Sequence, residues 1–212
     1  MATNNSIKRE NLQRNKANEV LKDIEDEDII LINDIDEIPN LDKINFNEIK
    51  NRLIIFEQKT FCYKFNLKYE KLIWHGSKAC KKKNFINPEW LRSVKNKKYP
   101  IWRMDIFFSK FKYNDIYLVE EGGWHFTNIR KPEELEKKLS NFLHYIDFQE
   151  SGLQLKDLEK LMKEKKIMYD HSSDKSESKW GNGEKLQTIK LKEMPKYIID
   201  NYHKYKPWLD NV

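Results

Sequence analysis

The chain has 212 residues, which is enough for one domain with its own hydrophobic core. Hydrophobic residues make up 39% of the sequence and aromatic residues 13%, so the composition excludes a disordered chain although 35% of the residues are charged. The net charge is +6, from 40 Lys and Arg against 34 Asp and Glu. This modest excess would attract phosphate-bearing ligands or would simply aid solubility.

Two further features bear on the compartment. Cys62 and Cys80 are too few for a disulfide framework and lack the spacing of metal ligands, so we expect reduced thiols. No apolar run approaches the ~18 residues of a membrane span, and the first residues lack the apolar stretch of a signal peptide. The sequence therefore predicts a soluble, cytoplasmic protein without a membrane span.

The first predicted elements are a helix and a short strand. Apolar residues recur at helical spacing from about residue 8 to residue 24, and the acidic run at 25–28 ends that helix. Ile29–Ile32 is a continuous apolar run, which is typical of a strand buried on both faces of a parallel or mixed sheet. Pro39 cannot continue a ladder. We interpret this order of elements as half of a βαβ unit.

The middle of the chain predicts strands, and its last third predicts helices. Segments rich in β-branched and aromatic residues predict short strands at 52–56, 60–67, 71–74, 101–111 and 115–119. A basic loop with a short helix at 88–94 is expected between residues 81 and 100. Helices are predicted at 132–146, 155–165 and 195–209, with a polar loop at 171–184. The fold class is α/β, with a core at residues 8–150 and a C-terminal helical extension of the same domain at 151–212.

An acidic motif follows the first predicted strand, in the order Asn33-Asp34-Ile35-Asp36-Glu37. Residues i and i+2 of a strand point to the same side, so Asp34 and Asp36 converge if the strand geometry continues through them. Open α/β sheets bind ligands at the carboxyl ends of their strands. Two carboxylates suit Mg²⁺ or Mn²⁺, which would also bind a substrate diphosphate and neutralise its charge as it departs.

Other interpretations of this motif stay open. An acidic turn before Pro39 needs no ligand, because Asp and Asn favour the bend between a strand and a loop. A D-x-D phosphohydrolase of the haloacid-dehalogenase type also places this motif after an apolar strand, but usually has Thr or Val where this chain has Ile38. An EF-hand loop is disfavoured because the glycine of its sixth position is missing.

A second motif reads Glu120-Glu121-Gly122-Gly123-Trp124-His125-Phe126. Its glycines permit the close approach of a ligand, and a sugar can stack on Trp124. A carboxylate can accept the proton of an attacking hydroxyl, and we favour Glu121 over Glu120 because alternation along a strand lets only one of them face the site. His125 is a candidate third metal ligand or phosphate donor, with a structural role as the alternative.

The remaining polar candidates have weaker support. We expect His144 to be structural on its helix, while His75 and His171 have no supporting context. Several lysines could contact phosphate or a polyanionic acceptor, although we expect them to be solvated. They are Lys179, Lys185 and the run at 81–83.

The two motifs together resemble a known family. D-x-D-E-I-P at 34–39, followed by G-G-W-H-F at 122–126, is similar to glycosyltransferase family 17. That is the family of the β-1,4-mannosyl-glycoprotein N-acetylglucosaminyltransferase that adds bisecting GlcNAc. Residues 138–144 resemble its K-x-x-S-F-x-H stretch, and residues 194–198 resemble its L-P-x-Y-[IV] tail. The similarity covers nearly the whole chain, from about residue 10 to the end.

The resemblance implies a GT-A fold and a metal-dependent inverting transfer of a sugar, with GlcNAc expected, from a UDP-sugar to a glycan or glycoprotein acceptor. Asp34 and Asp36 would bind the metal (Mn²⁺ or Mg²⁺) and the donor diphosphate. Arg14 and Asn15 would lie against the nucleotide or its phosphates, since Arg suits phosphate geometry. Trp124 would stack on a sugar.

The chain departs from this family in one place. The strand–helix–strand section that forms much of the uridine pocket in a GT-A domain has no counterpart before residue 13. This predicts a shortened domain, a second chain that completes the nucleotide-binding half, or another mode of nucleotide binding. A non-catalytic or partner-dependent glycan-binding protein is therefore the main alternative. Nucleic-acid binding ranks last, because no RNA-binding motif accompanies the basic charge.

Overall fold

The computed structural model describes residues 2–21, 23–141, 145–169 and 183–211. Within these ranges the chain folds as a mixed α/β protein, which confirms the predicted fold class at that level. The strands are β1 (Ile29–Ile32), β2 (Glu37–Pro39), β3 (Leu53–Cys62), β4 (Leu67–Trp74), β5 (Lys78–Lys81), β6 (Ile116–Thr127) and β7 (Gln187–Thr188).

The helices are short, and 3-10 turns connect several of them. The α-helices are α1 (Ala2–Asn15), α2 (Pro88–Ser93), α3 (Pro132–Asn141), α4 (Tyr145–Ser151), α5 (Leu155–Lys163), α6 (Lys196–Asp200) and α7 (Tyr202–Tyr205). The 3-10 turns are Lys16–Leu21, Leu41–Lys43, Lys82–Asn84, Met104–Ile106, Leu191–Glu193 and Lys206–Trp208. Among the described residues, we find no helix long and apolar enough to cross a bilayer.

The chain divides into two compact units that interleave in sequence. The first comprises Met1–Gln58 and Trp74–Gly123, and the second comprises Lys59–Ile73 and Trp124–Val212. The long strands β3 and β6 begin in the first unit and end in the second. The predicted boundary at residue 150 stays a prediction.

The first unit is built on the antiparallel strands β1, β5 and β3. Ile30 lies opposite Cys80 in the β1–β5 pair, and Ile54 lies opposite Ala79 in the β5–β3 pair. Both faces of β3 are covered here, because successive side chains of a strand point to opposite faces. One face packs with α2 through the buried residues Leu53, Ile55, Cys80, Trp90, Leu91, Val94 and Ile116. The other face buries Ile54, Phe56, Ala79 and Val119.

The second unit packs helices on the end of β3 and on β4. Strand β4 runs antiparallel to β7, with Leu67 opposite Thr188. Its largest cluster joins Tyr63 and Tyr69 to the apolar faces of α3 and α5 through Leu135, Leu139, Leu158 and Leu161. A smaller cluster contains Phe61, Phe126, Met194 and Ile198.

The predicted strand at 29–32 is confirmed, but its predicted environment is wrong. Ile30 is buried, whereas Ile29, Leu31 and Ile32 are only partly buried. Strand β1 stands at the end of the strand order and runs antiparallel to β5, so it is not half of a βαβ unit. A short apolar run therefore identifies a strand without identifying its neighbours.

The predicted strand at 101–111 is also wrong. Backbone groups there bond locally in successive turns, including Arg103 N–H to the Pro100 carbonyl at 3.1 Å and Phe107 N–H to the Met104 carbonyl at 3.2 Å. The segments 52–56, 60–67 and 71–74 form two strands, β3 and β4, instead of three. Strand β6 continues to residue 127, well beyond the predicted end at residue 119.

The predicted helices lie close to their predicted positions, but several of them differ in length from the prediction. The short helix at 88–94 is confirmed as α2, which Asn87 caps by accepting the Trp90 N–H at 2.8 Å. The helix at 155–165 is confirmed as α5. The helix predicted at 195–209 is divided into α6, α7 and a 3-10 turn, and α1 ends at Asn15 instead of residue 24. Most of the polar loop predicted at 171–184 lies outside the described residues.

Candidate functional site

The acidic motif forms a turn, which we call the acidic turn (residues 33–37), in the first unit. The Glu37 N–H donates to the Asp34 carbonyl at 3.0 Å, and the Asn33 amide donates to the Asp34 and Glu37 carbonyls at 3.1 and 3.2 Å. Ile35 at the tip is fully exposed. The strand geometry does not continue through Asp34 and Asp36, so the condition for their convergence on one face of a strand is not met.

Glu37 is the buried centre of this turn, with a residue exposure of 3%. Its carboxylate accepts hydrogen bonds from Trp74 Nε1 at 2.7 Å, Arg92 Nη2 at 2.7 Å and the Asp34 N–H at 3.0 Å. The Ser77 hydroxyl adds a longer contact at 3.4 Å. Burying a carboxylate costs free energy unless the group is paired with a cation and hydrogen-bonded. Arg92 supplies the charge pair, and the other partners supply hydrogen bonds.

Two guanidinium groups flank Asp34. Arg92, which α2 carries, bonds the Asp34 carboxylate as well as Glu37, and also donates to the Gly76 carbonyl. Arg14, near the end of α1, lies 3.5 Å from the other Asp34 oxygen and is partly exposed. The carboxylates of Asp34 and Glu37 thus lie beside two guanidinium cations.

Gly76 is required where β4 leads into β5, because Glu37 approaches it closely. A Cβ atom at this position would lie 1.8 Å from Glu37 Oε1 and 2.3 Å from Trp74 Nε1. Such distances are far inside van der Waals contact, so a larger residue would displace the Glu37 carboxylate from its partners. The adjacent His75 contacts Glu57 on β3, with Nε2 and Oε1 3.4 Å apart.

Lys78 is a buried cation next to this network, with a residue exposure of 3%. Its Nζ donates to the Arg92 carbonyl at 2.8 Å and to the Val94 carbonyl. Burial and then the nearby Arg92 charge lower the pKa of Lys78 to about 7, and Glu37 opposes that shift. Lys78 therefore changes its charge near neutral pH.

The second sequence motif lies against the strand that leaves the acidic turn. Strand β2 pairs with β6, and the Asn40 N–H donates to the Gly122 carbonyl at 2.8 Å. Gly123 has φ +137°, and a Cβ atom there would lie 2.1 Å from the Ile38 carbonyl oxygen. Gly123 thus allows the close approach of β2, and Gly122 allows the close approach of β3, where a Cβ atom would lie 3.1 Å from the Glu57 nitrogen. The close approach predicted for a ligand is therefore made by neighbouring strands.

Glu120 and Glu121 are both exposed, so the predicted alternation between them is wrong. Glu121 has φ +49°, in the left-handed region, so the strand is kinked at this residue. Because of this kink, the side chains of Glu120 and Glu121 both face outward, and the two glycines that follow are both buried. Glu121 lies 3.4 Å from Lys43 Nζ. Either carboxylate is accessible to a substrate, and the choice of Glu121 stays a prediction.

The other predicted site residues have varied surroundings. Arg14 lies at the acidic turn, as described above. Asn15 instead contacts the start of α2, where its amide donates to Glu89 Oε2 at 3.2 Å and its side-chain oxygen accepts the Glu89 N–H at 3.3 Å. Trp124 and His125 belong to the second unit. Trp124 donates to the Glu193 carbonyl at 2.8 Å, and His125 is buried.

No group of three or more His, Cys, Asp or Glu side chains in the described part of the chain is arranged to hold a metal ion. The set Asp34, Asp36 and His125 therefore stays a prediction. Among the weaker candidates, residues 81 and 83 form ion pairs with Glu27, and Lys185 is exposed. Three others lie outside the described residues, namely His144, His171 and Lys179.

Most partners of the Glu37 carboxylate were not predicted from the sequence. Gly76 between Trp74 and Ser77 is a usable signal, because an isolated glycine next to strand residues often marks a close approach. Arg92 and Lys78 carry no such signal, since each is one basic residue among 40. Their importance depends on burial, which follows from tertiary packing.

Comparison with known proteins adds no relative to this description. No protein-family model matches the chain, and comparison with curated proteins and with solved structures gives no match either. The resemblance to glycosyltransferase family 17 therefore stays a prediction based on the motifs quoted above.

Proposed function

We propose that the chain binds a UDP-sugar at the acidic turn and transfers its sugar, with GlcNAc expected, to a glycan or glycoprotein acceptor with inversion. One observation carries this proposal. Strand β2, which begins at the acidic turn, pairs with β6, which contains Glu120, Glu121 and the two glycines. Two motifs that are far apart in the sequence thus occupy neighbouring strands, as a donor site and an acceptor-side base require.

The oxygen-rich turn is chemically suited to Mg²⁺ or Mn²⁺. Such ions are commonly bound through one or two carboxylates together with waters and substrate phosphates, so a complete cage of protein ligands is not needed. Asp36 and Asp34 would hold the ion, and both are partly exposed. When bound, the ion would neutralise charge on the departing diphosphate.

The two arginines have separate roles in this proposal. Arg92 positions the turn, because its guanidinium bonds Asp34 and the buried Glu37 together. Arg14 is more exposed, and its contact with Asp34 is long at 3.5 Å, so it can bind a donor phosphate without disturbing the core. Asn15, which contacts α2, supports the position of Arg14 on α1 in this scheme.

The chemistry on the acceptor side needs one carboxylate. The acceptor hydroxyl oxygen forms the new bond to the anomeric carbon, the bond from that carbon to the diphosphate oxygen breaks, and UDP leaves. The hydroxyl proton passes to Glu121, or to Glu120 as the alternative. Both side chains are exposed on β6, where a polar acceptor can reach them.

The base assignment predicts a separation of transfer from donor binding. Glu121→Gln keeps the side-chain shape and removes the proton acceptor, so we expect loss of sugar transfer by at least about 100-fold with unchanged UDP-GlcNAc affinity. Glu120→Gln is the matched control on the adjacent position. Transfer would be followed by mass spectrometry with a panel of glycan acceptors. Full transfer by both variants would contradict a carboxylate base at this position.

The partner-dependent alternative also has one observation in its favour. Among the strands that the structure describes, β1 pairs with β5 alone, so a second chain could add a strand at its other edge. In that case the isolated chain would bind glycans and show no affinity for UDP-sugars in any metal. Hydrolysis of p-nitrophenyl phosphate would instead favour the D-x-D phosphohydrolase.

A further inference from the structure

An exposed apolar surface lies in the first unit at the segment 95–113, which we call the apolar loop. Trp102 is 80% exposed and Phe108 is 86% exposed, so their aromatic rings are almost fully in water. The other exposed apolar residues of the loop are Ile101, Met104, Phe107 and Phe111. A concentration of large apolar side chains on a surface marks a contact with a partner or with a membrane.

The apolar loop is held to the body of the first unit at both ends. The Lys95 N–H donates to the Phe111 carbonyl at 2.8 Å, and the Tyr99 N–H donates to the Tyr113 carbonyl at 3.0 Å. The buried indole of Trp90 donates to the carbonyl of residue 110 at 2.7 Å. The loop therefore has a fixed base, which presents its apolar residues outward.

Two residues of the apolar loop are buried, and they anchor the loop so that its other apolar residues are exposed. Tyr99 and Ile106 are buried, and the Ile106 N–H bonds the Arg103 carbonyl at 3.2 Å in a 3-10 turn. With Ile106 anchored inside, the tight turns at 100–109 direct Trp102, Phe107 and Phe108 to the outside. Their exposure thus follows from the backbone course of an anchored loop.

The apolar loop is also strongly basic, with six Lys and Arg residues and one acidic residue between positions 95 and 113. Arg103 and Lys112 pair with Asp105 at 2.8 and 2.6 Å, which leaves the excess positive charge on the exposed lysines. Those exposed lysines are Lys95, Lys97, Lys98 and Lys110. Aromatic side chains surrounded by basic side chains match the acyl boundary and the negative headgroups of an anionic leaflet.

We propose that the apolar loop docks the protein on anionic lipid bilayers, with Trp102, Phe107 and Phe108 in the interface and the lysines among the headgroups. The positive charge of the loop favours an anionic bilayer over a protein partner. A protein partner would bury the loop in an interface core, from which lysine is usually depleted. This proposal stands independently of the proposed sugar transfer, because it rests on a different segment and different contacts.

The test uses the full chain and vesicles of defined composition. We expect flotation with phosphatidylcholine vesicles that contain about 30% phosphatidylserine, little flotation with pure phosphatidylcholine, and release at high salt. No flotation with the anionic vesicles at low salt would overturn the proposal.

Paired variants separate insertion from general surface hydrophobicity. Trp102→Ser combined with Phe108→Ser should lower the partition onto anionic vesicles by about tenfold or more. Ile73→Ser combined with Ile86→Ser is the matched control, because these residues are also exposed but lie outside the apolar loop. Equal losses in both pairs, with native circular dichroism in each, would overturn the proposal. A dimer that the loop variants disrupt, without vesicle binding by the wild type, would overturn it in favour of a second copy of the chain.

Discussion

The buried Glu37 carboxylate explains why an acidic cluster can stand at the end of β1. Its partners Trp74, Ser77 and Arg92 come from the end of β4, the connection to β5 and α2, and Gly76 leaves the space that the carboxylate occupies. Removing one partner from a buried ion pair typically costs about 3–5 kcal/mol, so this network is expected to hold the acidic turn rigidly. Rigid support is what a phosphate- or metal-binding turn needs.

The pKa of Lys78 leads to a prediction for a single residue. It is about 7 in the folded protein, well below the ~10.4 of an unfolded lysine. Between these values the unfolded chain binds the proton that the folded chain has lost, so raising the pH favours the folded state. Below pH 7 both states are protonated, and the full cost of burying the charge is present. The contribution of Lys78 to the free energy of unfolding should therefore rise by up to ~1.4 kcal/mol per pH unit above pH 7.

Urea denaturation of the wild type and of Lys78→Met between pH 6 and pH 9 measures this contribution. The difference between their free energies of unfolding should be constant below about pH 7 and then shift in favour of the wild type. Because other titrating groups are common to both proteins, they cancel in the difference. A difference that stays constant to pH 9 would show that Lys78 keeps an ordinary pKa.

At the scale of elements, the junction of β2 and β6 links the two motifs. Gly123 lets the backbone of residues 38–40 approach β6 more closely than any side chain would allow. The kink at Glu121 precedes this junction and turns both candidate bases outward. The geometry of the proposed site thus depends on the backbone of β6 as much as on its side chains.

Gly123→Ala tests the junction, with Gly152→Ala as its control. Both glycines have positive φ, but a Cβ atom at Gly123 would clash with the Ile38 carbonyl, whereas nothing lies within 4 Å at Gly152. Gly152→Ala should cost about 1–2 kcal/mol from backbone strain alone. Gly123→Ala should cost at least about 1–3 kcal/mol more, since overpacking is added to the strain. Equal losses in thermal or urea denaturation would contradict a close β2–β6 junction.

The elements that the sequence predicted well are those with local signals. The apolar run of β1, the short helix α2 and the periodic α5 were all located from short windows. The short strands β2 and β5 were missed, because their residues show no alternation and are ordered by neighbouring strands. The segment 101–111 has a strand-like composition but bonds its own turns, so its apolar residues reach the surface instead of a sheet.

The candidate site was predictable to a similar extent. Asp34, Asp36 and the glycine pair were identified from local order, and β2, which follows the two aspartates, pairs with β6, which contains the glycines. The roles of Arg92 and Gly76 could not be predicted, because these residues act through contacts that are distant in sequence. The fully exposed Ile35 also shows that an apolar residue within D-x-D need not continue a buried strand.

At the scale of the whole molecule, the charge is unevenly distributed. Six basic residues against one acidic residue in the apolar loop account for most of the net charge of +6. In the acidic turn, in contrast, the carboxylates of Asp34 and Glu37 are paired with Arg14 and Arg92. The same unit of the chain therefore carries a basic apolar surface, which we propose binds anionic lipid, and a charge-paired turn, which we propose binds a charged donor.

Calorimetric titration of UDP-GlcNAc, with and without Mn²⁺, tests the proposed donor site most directly. We expect Mn²⁺-dependent binding by the wild type, weakened at least about tenfold in Asp36→Asn because a metal-binding carboxylate is lost. Asp23→Asn, which changes an exposed acid outside the acidic turn, should bind as the wild type does. Absence of binding in any metal, or equal binding by wild type and Asp36→Asn, would contradict a donor site at the acidic turn.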